Sequence, residues 1–126
     1  MGKNDQRFVR PVKIAALATY VPPGVMTNAD LEKLVDTNDE WIRQRTGVVE
    51  RHVVDPGVGT SALVVPAAQQ AVAQAGLTPD DIDLIVVGTT TPDNTIPAVA
   101  TQVQAKLGLG HGTAFDVQAA CSGFIY

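Results

Sequence analysis

The chain has 126 residues, enough for one domain at most and too few for two. Nine Lys and Arg against thirteen Asp and Glu leave a net charge of −4, which excludes nucleic-acid or anionic-membrane binding driven by charge. Charged residues are only 17% of the chain and hydrophobic ones 45%, against roughly 25% charged in an average soluble domain, so much of its surface is expected to be covered by an interface or by further sequence.

The single cysteine, Cys121, rules out an internal disulfide, leaves too few thiolates for a cysteine-based zinc site, and fits a reducing, cytoplasmic setting; no metal is expected. No apolar run approaches the ~20 residues of a membrane helix, residues 82–87 and 62–68 being short and interrupted by Asp83 and Pro66. Lys3, Arg7, Arg10 and Lys13 precede the apolar residues 14–21, and Ala16-Leu17-Ala18 faintly mimics a leader cleavage site. Asp5, Thr19 and Tyr20 break that pattern, and residues 14–21, closed by Pro22-Pro23-Gly24, read as a buried strand.

Two short helices follow. Thr27 and Asn28 can cap one that carries Leu31, Leu34 and Val35 on one face; Asn38 or Asp39 can cap another that holds Trp41, Ile42 and Arg45 and ends at Gly47. Residues 48–54 predict a half-exposed edge strand broken by Asp55-Pro56-Gly57. Ser61 offers the cap of a helix whose Val65, Ala68, Val72 and Ala75 share a face up to Gly76; with Pro66 inside it, the helix either starts nearer Val65 or is kinked early. Thr78-Pro79-Asp80-Asp81 predicts a single helical turn. The β-branched residues 82–88 predict a strand covered on both faces.

Pro97 suits the first turn of the next helix, with Val99, Val103 and Leu107 as its stripe and Gly108 as its end. Residues 113–120 predict another strand, and a helix is expected to begin at Cys121. Strand, helix and strand make a βαβ unit, so the two strands should be parallel and joined right-handedly. The fold class is α/β, and the last predicted helix has only its first turn, as if the domain were incomplete.

A thiol where a buried strand feeds a helix N-terminus is favoured as thiolate, and Ala119, Ala120 and Gly123 leave it approachable by a thioester carbonyl. A lone intracellular cysteine among alanines is more often an inert small hydrophobe, and local physics alone favours that reading. Gln118-Ala119-Ala120-Cys121-Ser122-Gly123-Phe124, however, resembles the active-site motif of β-ketoacyl-ACP synthase III in the thiolase superfamily. Thr27-Asn28-Ala29-Asp30-Leu31-Glu32, Asp36-Thr37-Asn38-Asp39-Glu40-Trp41-Ile42, Arg45-Thr46-Gly47 and Glu50-Arg51-His52 resemble that family's N-terminal block, which thiolases and elongating synthases lack. Residues 83–91 and Phe115-Asp116-Val117 match in order and spacing, so the resemblance covers about residues 12–126.

The resemblance implies the N-terminal half of a thiolase-like fold, with αβαβα layers when complete, for residues 1–126. It implies a decarboxylating condensation of an acyl-CoA primer with malonyl-ACP that initiates fatty-acid synthesis, with Cys121 as nucleophile and CoA as substrate, not cofactor. A His and an Asn that stabilise the enolate come, in the family, from the C-terminal half, so this chain alone is expected to be inactive. His52, on a strand, and His111, between two glycines, have the wrong contexts for that role, and Gly108-Leu109-Gly110-His111-Gly112 follows a helix instead of a strand, unlike a dinucleotide loop.

Trp41 would ordinarily be a core or interface anchor; the resemblance makes it the stacking surface for the CoA adenine, with Thr37 and Arg45 as polar contacts. Arg43 and Arg51 are given no site role and could be solvated or paired with Glu40 and Glu50. Ile96 could be ordinary packing; the resemblance places it in the acyl pocket of the partner across a homodimer, where the family often has a larger aromatic. Two other readings stand beside this one: a non-catalytic fragment serving acyl-CoA binding or dimerisation, and a related ketosynthase of a polyketide or signalling pathway.

Overall fold

The computed structural model describes residues 11–126; Lys3, Asp5, Arg7 and Arg10 of the leader-like start lie outside them. Two units follow one another along the chain. In the first, β1 (Gly24–Thr27) pairs antiparallel with β2 (Glu50–Val53), Gly24 opposite Val53 and Thr27 opposite Glu50. Between them lie α1 (Asn28–Glu32) and α2 (Asp39–Thr46). Both caps act as expected: Thr27 forms a reciprocal capping box with Asp30, Asn38 accepts the Trp41 N–H at 2.8 Å, and Gly47 ends α2 with a left-handed φ of 73°. β1 was not expected from the sequence, in which Pro22-Pro23-Gly24 reads as a turn and Thr27 as a helix cap.

The hub of this unit is Asn28, which is only 2% exposed. Its amide donates to Asp39 Oδ1 (2.7 Å) and the Val48 carbonyl (2.9 Å), and its oxygen accepts from Arg51 (2.6 Å), which also donates to the Met26 carbonyl. One buried side chain thereby ties α1, α2 and β2 together, its polar atoms satisfied as burial demands. Arg43 pairs with Asp39 at 2.7 Å, so Arg43 and Arg51 have Asp39 and Asn28 as partners in place of Glu40 and Glu50.

α1 is shorter than expected, and Leu34 and Val35 lie beyond it, exposed. The Glu32 carboxylate accepts the Asp39 N–H at 2.7 Å, so the end of α1 is stitched to the start of α2 and the intervening residues must turn. Residues 14–21 form no strand; Ile14 is 79% exposed, because among the described residues no partner strand takes up their backbone groups.

In the second unit α3 (Thr60–Gln74) precedes the βαβ element β3 (Leu84–Gly88), α4 (Val99–Leu107), β4 (Thr113–Val117). Thr78 boxes a single 3-10 turn over Pro79–Asp81 as anticipated. β3 and β4 are parallel, Leu84 opposite Thr113 and Gly88 opposite Val117. Val87, Val99, Ala100 and Val103 form the core, with Val64, Val65, Ile85, Leu107 and Ala114 against it. Coverage is one-sided, contrary to expectation: α3 and α4 pack on the face of Ile85 and Val87, while Leu84, Val86 and Phe115 on the other face are exposed.

The starts of α3 and α4 differ from the sequence reading for one shared reason. Each is capped by a carboxylate from elsewhere in the chain. α3 begins at Thr60, with Pro66 inside it, and Ser61 is not its cap; the Ser61 N–H donates to Asp93 Oδ1 at 2.9 Å. Gly59, at the cap position, has no room for a side chain, since a Cβ there would lie 2.5 Å from the Asp93 carboxyl carbon. α4 begins at Val99, not in the turn containing Pro97, because Asp116 accepts the N–H groups of Val99 and Ala100, both at 2.8 Å. Charge-assisted bonds of this kind are roughly twice as strong as neutral ones.

Partial burial pushes the Asp93 carboxyl up, but the Ser61 side chain and N–H, the Lys106 charge and the Thr60 N–H outweigh it and hold the group below its ordinary value. A carboxyl with a depressed folded value contributes stability above its unfolded pKa and loses it as pH falls through the folded value. Asp93→Asn is therefore expected to lower the urea midpoint at neutral pH, with the difference from wild type shrinking as pH falls through and below the ordinary carboxylate range. Denaturant titrations of both proteins across that range check it.

Candidate active site

Parallel strands expose function at their carboxyl ends, and the C-terminal edge of β3 and β4 is where Cys121 lies. The Thr89 N–H donates to the Val117 carbonyl at 3.1 Å, which carries the ladder one step past Gly88. Beyond Val117 the chain passes through a 3-10 turn over Ala120–Ser122, with Cys121 at its centre and its thiol exposed. Where a helix was expected to begin at Cys121, the described residues form this 3-10 turn. What distinguishes the elbow is its backbone. Ala120, immediately before the cysteine, has a φ of 44°, a left-handed conformation that costs an L-residue roughly 1 kcal/mol or more.

The elbow is seated by two glycines. A Cβ on Gly88 would lie 3.0 Å from the Gly123 carbonyl carbon and 3.2 Å from its Cα, and one on Gly123 would lie 3.3 Å from the Gly88 Cα and from the Ala120 oxygen. The end of β3 and the turn after Cys121 thus approach backbone to backbone, so closely that a Cβ on either residue would require the other to shift.

A second cluster lies on α2. Asp36, Thr37, Asn38 and Trp41 line an open concavity of about 170 Å³. Trp41 is 55% exposed, and the Arg45 guanidinium carbon is 5.9 Å from its ring centroid, one helical turn along. An exposed indole face with a hydroxyl and a guanidinium beside it is a platform for a flat, polar group. The structure therefore brings Thr37, Trp41 and Arg45 together. No hydrogen bond among the described residues joins them to the cysteine elbow. Ile96 stands apart again, 85% exposed, in the segment between β3 and α4.

Both histidines are engaged elsewhere. His52 Nδ1 is 2.6 Å from the Pro22 carbonyl, and His111 Nε2 is 3.6 Å from Asp83 Oδ1, at the opposite end of the parallel strands from Cys121. The glycine-rich residues 108–112 follow α4 and lead into β4. No helix among the described residues is long and apolar enough to cross a membrane. Sequence reasoning missed Asn28, Asp93 and Asp116 as the groups that hold these surfaces. The legible signal was Asp116 itself, an acid between Phe115 and Val117 in a predicted strand, which demands a partner.

No family model matches the chain. It is 57% identical over 113 residues to the β-ketoacyl-[acyl-carrier-protein] synthase III of Sinorhizobium medicae, a match covering 90% of this chain and 35% of that protein. The crystal structure of 3-oxoacyl-[acyl-carrier-protein] synthase III from Aquifex aeolicus superposes with a TM-score of 0.86 at 46% identity, over 90% of this chain and 37% of that one. The priming β-ketosynthase of the R1128 polyketide pathway superposes with a TM-score of 0.84 at 31% identity, over 89% and 34%. The fold is thus the α/β fold of the thiolase-like condensing enzymes. By sequence and structure the chain is similar to a portion of β-ketoacyl-ACP synthase III proteins, and it spans about a third of the length of the curated relatives it matches.

The glycine seat makes a direct prediction. Gly88→Ala drives a Cβ into backbone atoms that cannot rotate away, and should cost about 1–3 kcal/mol. Gly110→Ala, where a Cβ meets nothing within 4 Å, should stay within about 0.5 kcal/mol of wild type. Denaturant midpoints of the two variants in the full chain measure the contrast.

Proposed function

We propose that the protein containing this segment condenses an acyl-CoA primer with malonyl-ACP, with Cys121 carrying the acyl group between them. The observation that carries the reading is the place of Cys121 on a strained elbow at the carboxyl end of parallel strands; the similarity to β-ketoacyl-ACP synthase III proteins supports it. The Cys121 thiolate attacks the thioester carbonyl and expels the CoA thiolate. The bond between the malonyl carboxylate and its methylene carbon then breaks, releasing CO2, and the electron pair left behind attacks the acyl-cysteine carbonyl, forming the new carbon–carbon bond and regenerating the thiolate. The product is a 3-oxoacyl-ACP, the entry point of fatty-acid synthesis.

Thr37, Trp41 and Arg45 are assigned to the CoA nucleotide, by stacking on the exposed indole and by polar contacts from the hydroxyl and guanidinium. Because His52 and His111 are held elsewhere, the enolate donors, a His and an Asn, are assigned to protein beyond this segment. The rest of the thiolase-like domain would cover the open face of Leu84, Val86 and Phe115. The working form is a homodimer in the cytoplasm, with no cofactor beyond its substrates, and Ile96 contributes to an acyl pocket across the dimer. A polyketide-priming role is the second reading, favoured by the similarity to the R1128 ketosynthase.

Malonyl-ACP condensation by the full chain with a panel of acyl-CoAs tests this reading. Cys121→Ser should abolish 3-oxoacyl-ACP formation, and unchanged turnover would reject the assignment. Trp41→Ala should raise KM for acyl-CoA by about ten- to a hundredfold while leaving KM for malonyl-ACP near wild type, as loss of one stacking group predicts. Ile96→Phe should reduce kcat/KM for branched or longer primers more than for acetyl-CoA; an equal loss across primers would remove Ile96 from the pocket. A preference for an unusual primer over acetyl-CoA would favour the polyketide reading.

A further inference from the structure

The ten residues between β3 and α4 carry Ile96 at an exposed position, yet the segment is held from both sides. Asp93, three residues before Ile96, reaches across to the start of α3, accepting the Ser61 N–H at 2.9 Å against the bare Gly59. The Thr60 hydroxyl adds a bond to the Thr91 carbonyl at 2.6 Å. Three residues after Ile96, Val99 gives its N–H to Asp116, and Ala100 does the same, both at 2.8 Å. Asp116 belongs to β4, the strand that runs directly into Cys121. Ile96 is therefore the exposed crest of a short span anchored at each foot by a carboxylate, and one of those carboxylates stands on the nucleophile's own strand.

We propose that Asp116 and Asp93 are positioning residues for primer selectivity: they brace the span that carries Ile96 and so fix where its side chain borders the acyl group. This rests on the condensing-enzyme reading above. Neither carboxylate touches the primer; each acts through the backbone it holds, on the subunit that offers Ile96. The chemistry of the brace is specific. A carboxylate presents two acceptors to two N–H donors, whereas an amide at 116 keeps one acceptor and turns an N–H group on the other donor, so Asp116→Asn loses one bond and gains a repulsion with almost no change in size.

Loss of folded protein lowers turnover with every primer by the same factor, whereas a displaced Ile96 changes the ratio between primers. The test is therefore the ratio of kcat/KM for isobutyryl-CoA to that for acetyl-CoA, measured on the full chain and on its Asp116→Asn and Asp93→Asn variants, with amide hydrogen exchange of the 89–100 segment alongside. The expected result is a shift of that ratio by about three- to tenfold in Asp116→Asn, a smaller shift in the same direction in Asp93→Asn, and faster exchange at Val99 and Ala100 in the former. If Asp116→Asn does not accumulate as folded protein, Asp93→Asn decides the matter. Ratios equal to wild type in the folded variants, however far total activity falls, would overturn the proposal. A wild-type chain that transfers no acyl group from either primer would overturn the condensing-enzyme reading instead, and exchange at Val99 and Ala100 would then decide alone whether the carboxylates hold the span.

Discussion

The contact between Gly88 and Gly123, backbone against backbone, governs where the chain after β4 can go. β3 is fixed in the core through Val87, and the turn that approaches Gly88 holds Ala120 in a left-handed conformation next to the exposed Cys121. Strain of this kind survives only when its surroundings over-determine it, as the parallel ladder and the two glycines do here.

The other surfaces depend on a few polar side chains that reach across long stretches of sequence. Asn28 collects Asp39, Val48 and Arg51; Asp93 caps α3; Asp116 caps α4. Each replaces what would otherwise be unmade bonds at helix ends or in a small core, where an unsatisfied buried group costs about 1–3 kcal/mol. Their layout also separates tasks: Asn28 holds the Trp41 helix in the first unit, while the two aspartates hold the span and strand around Ile96 and Cys121 in the second.

Much of this was legible in the sequence because its signals are local. Thr27, Asn38 and Gly47 bound their helices as read, Thr78 boxes its turn, and Gly108 ends α4 with a φ of 76°. The parallel βαβ element followed from the spacing of its apolar runs. What escaped was non-local. The caps of α3 and α4 come from residues 32 and 17 positions away, so Ser61 and Pro97 looked like the natural starts. β1 was masked by the prolines before it, and residues 14–21 read as a strand from composition although a strand requires a partner that composition does not supply. In the candidate site, the motif around Cys121 and the cluster of Thr37, Trp41 and Arg45 were visible as residue strings, whereas the elbow geometry, which depends on Gly88 meeting Gly123, was not.

The central claim is that Cys121 is the group that receives the acyl chain. Incubating the full chain with acetyl-CoA in the absence of malonyl-ACP, followed by peptide mass mapping, tests it most directly. The account predicts one acetyl group per chain on the peptide containing Cys121, released when malonyl-ACP is added. Acetylation spread over lysines, or a Cys121 peptide that stays unmodified while the protein still makes 3-oxoacyl-ACP, would contradict it.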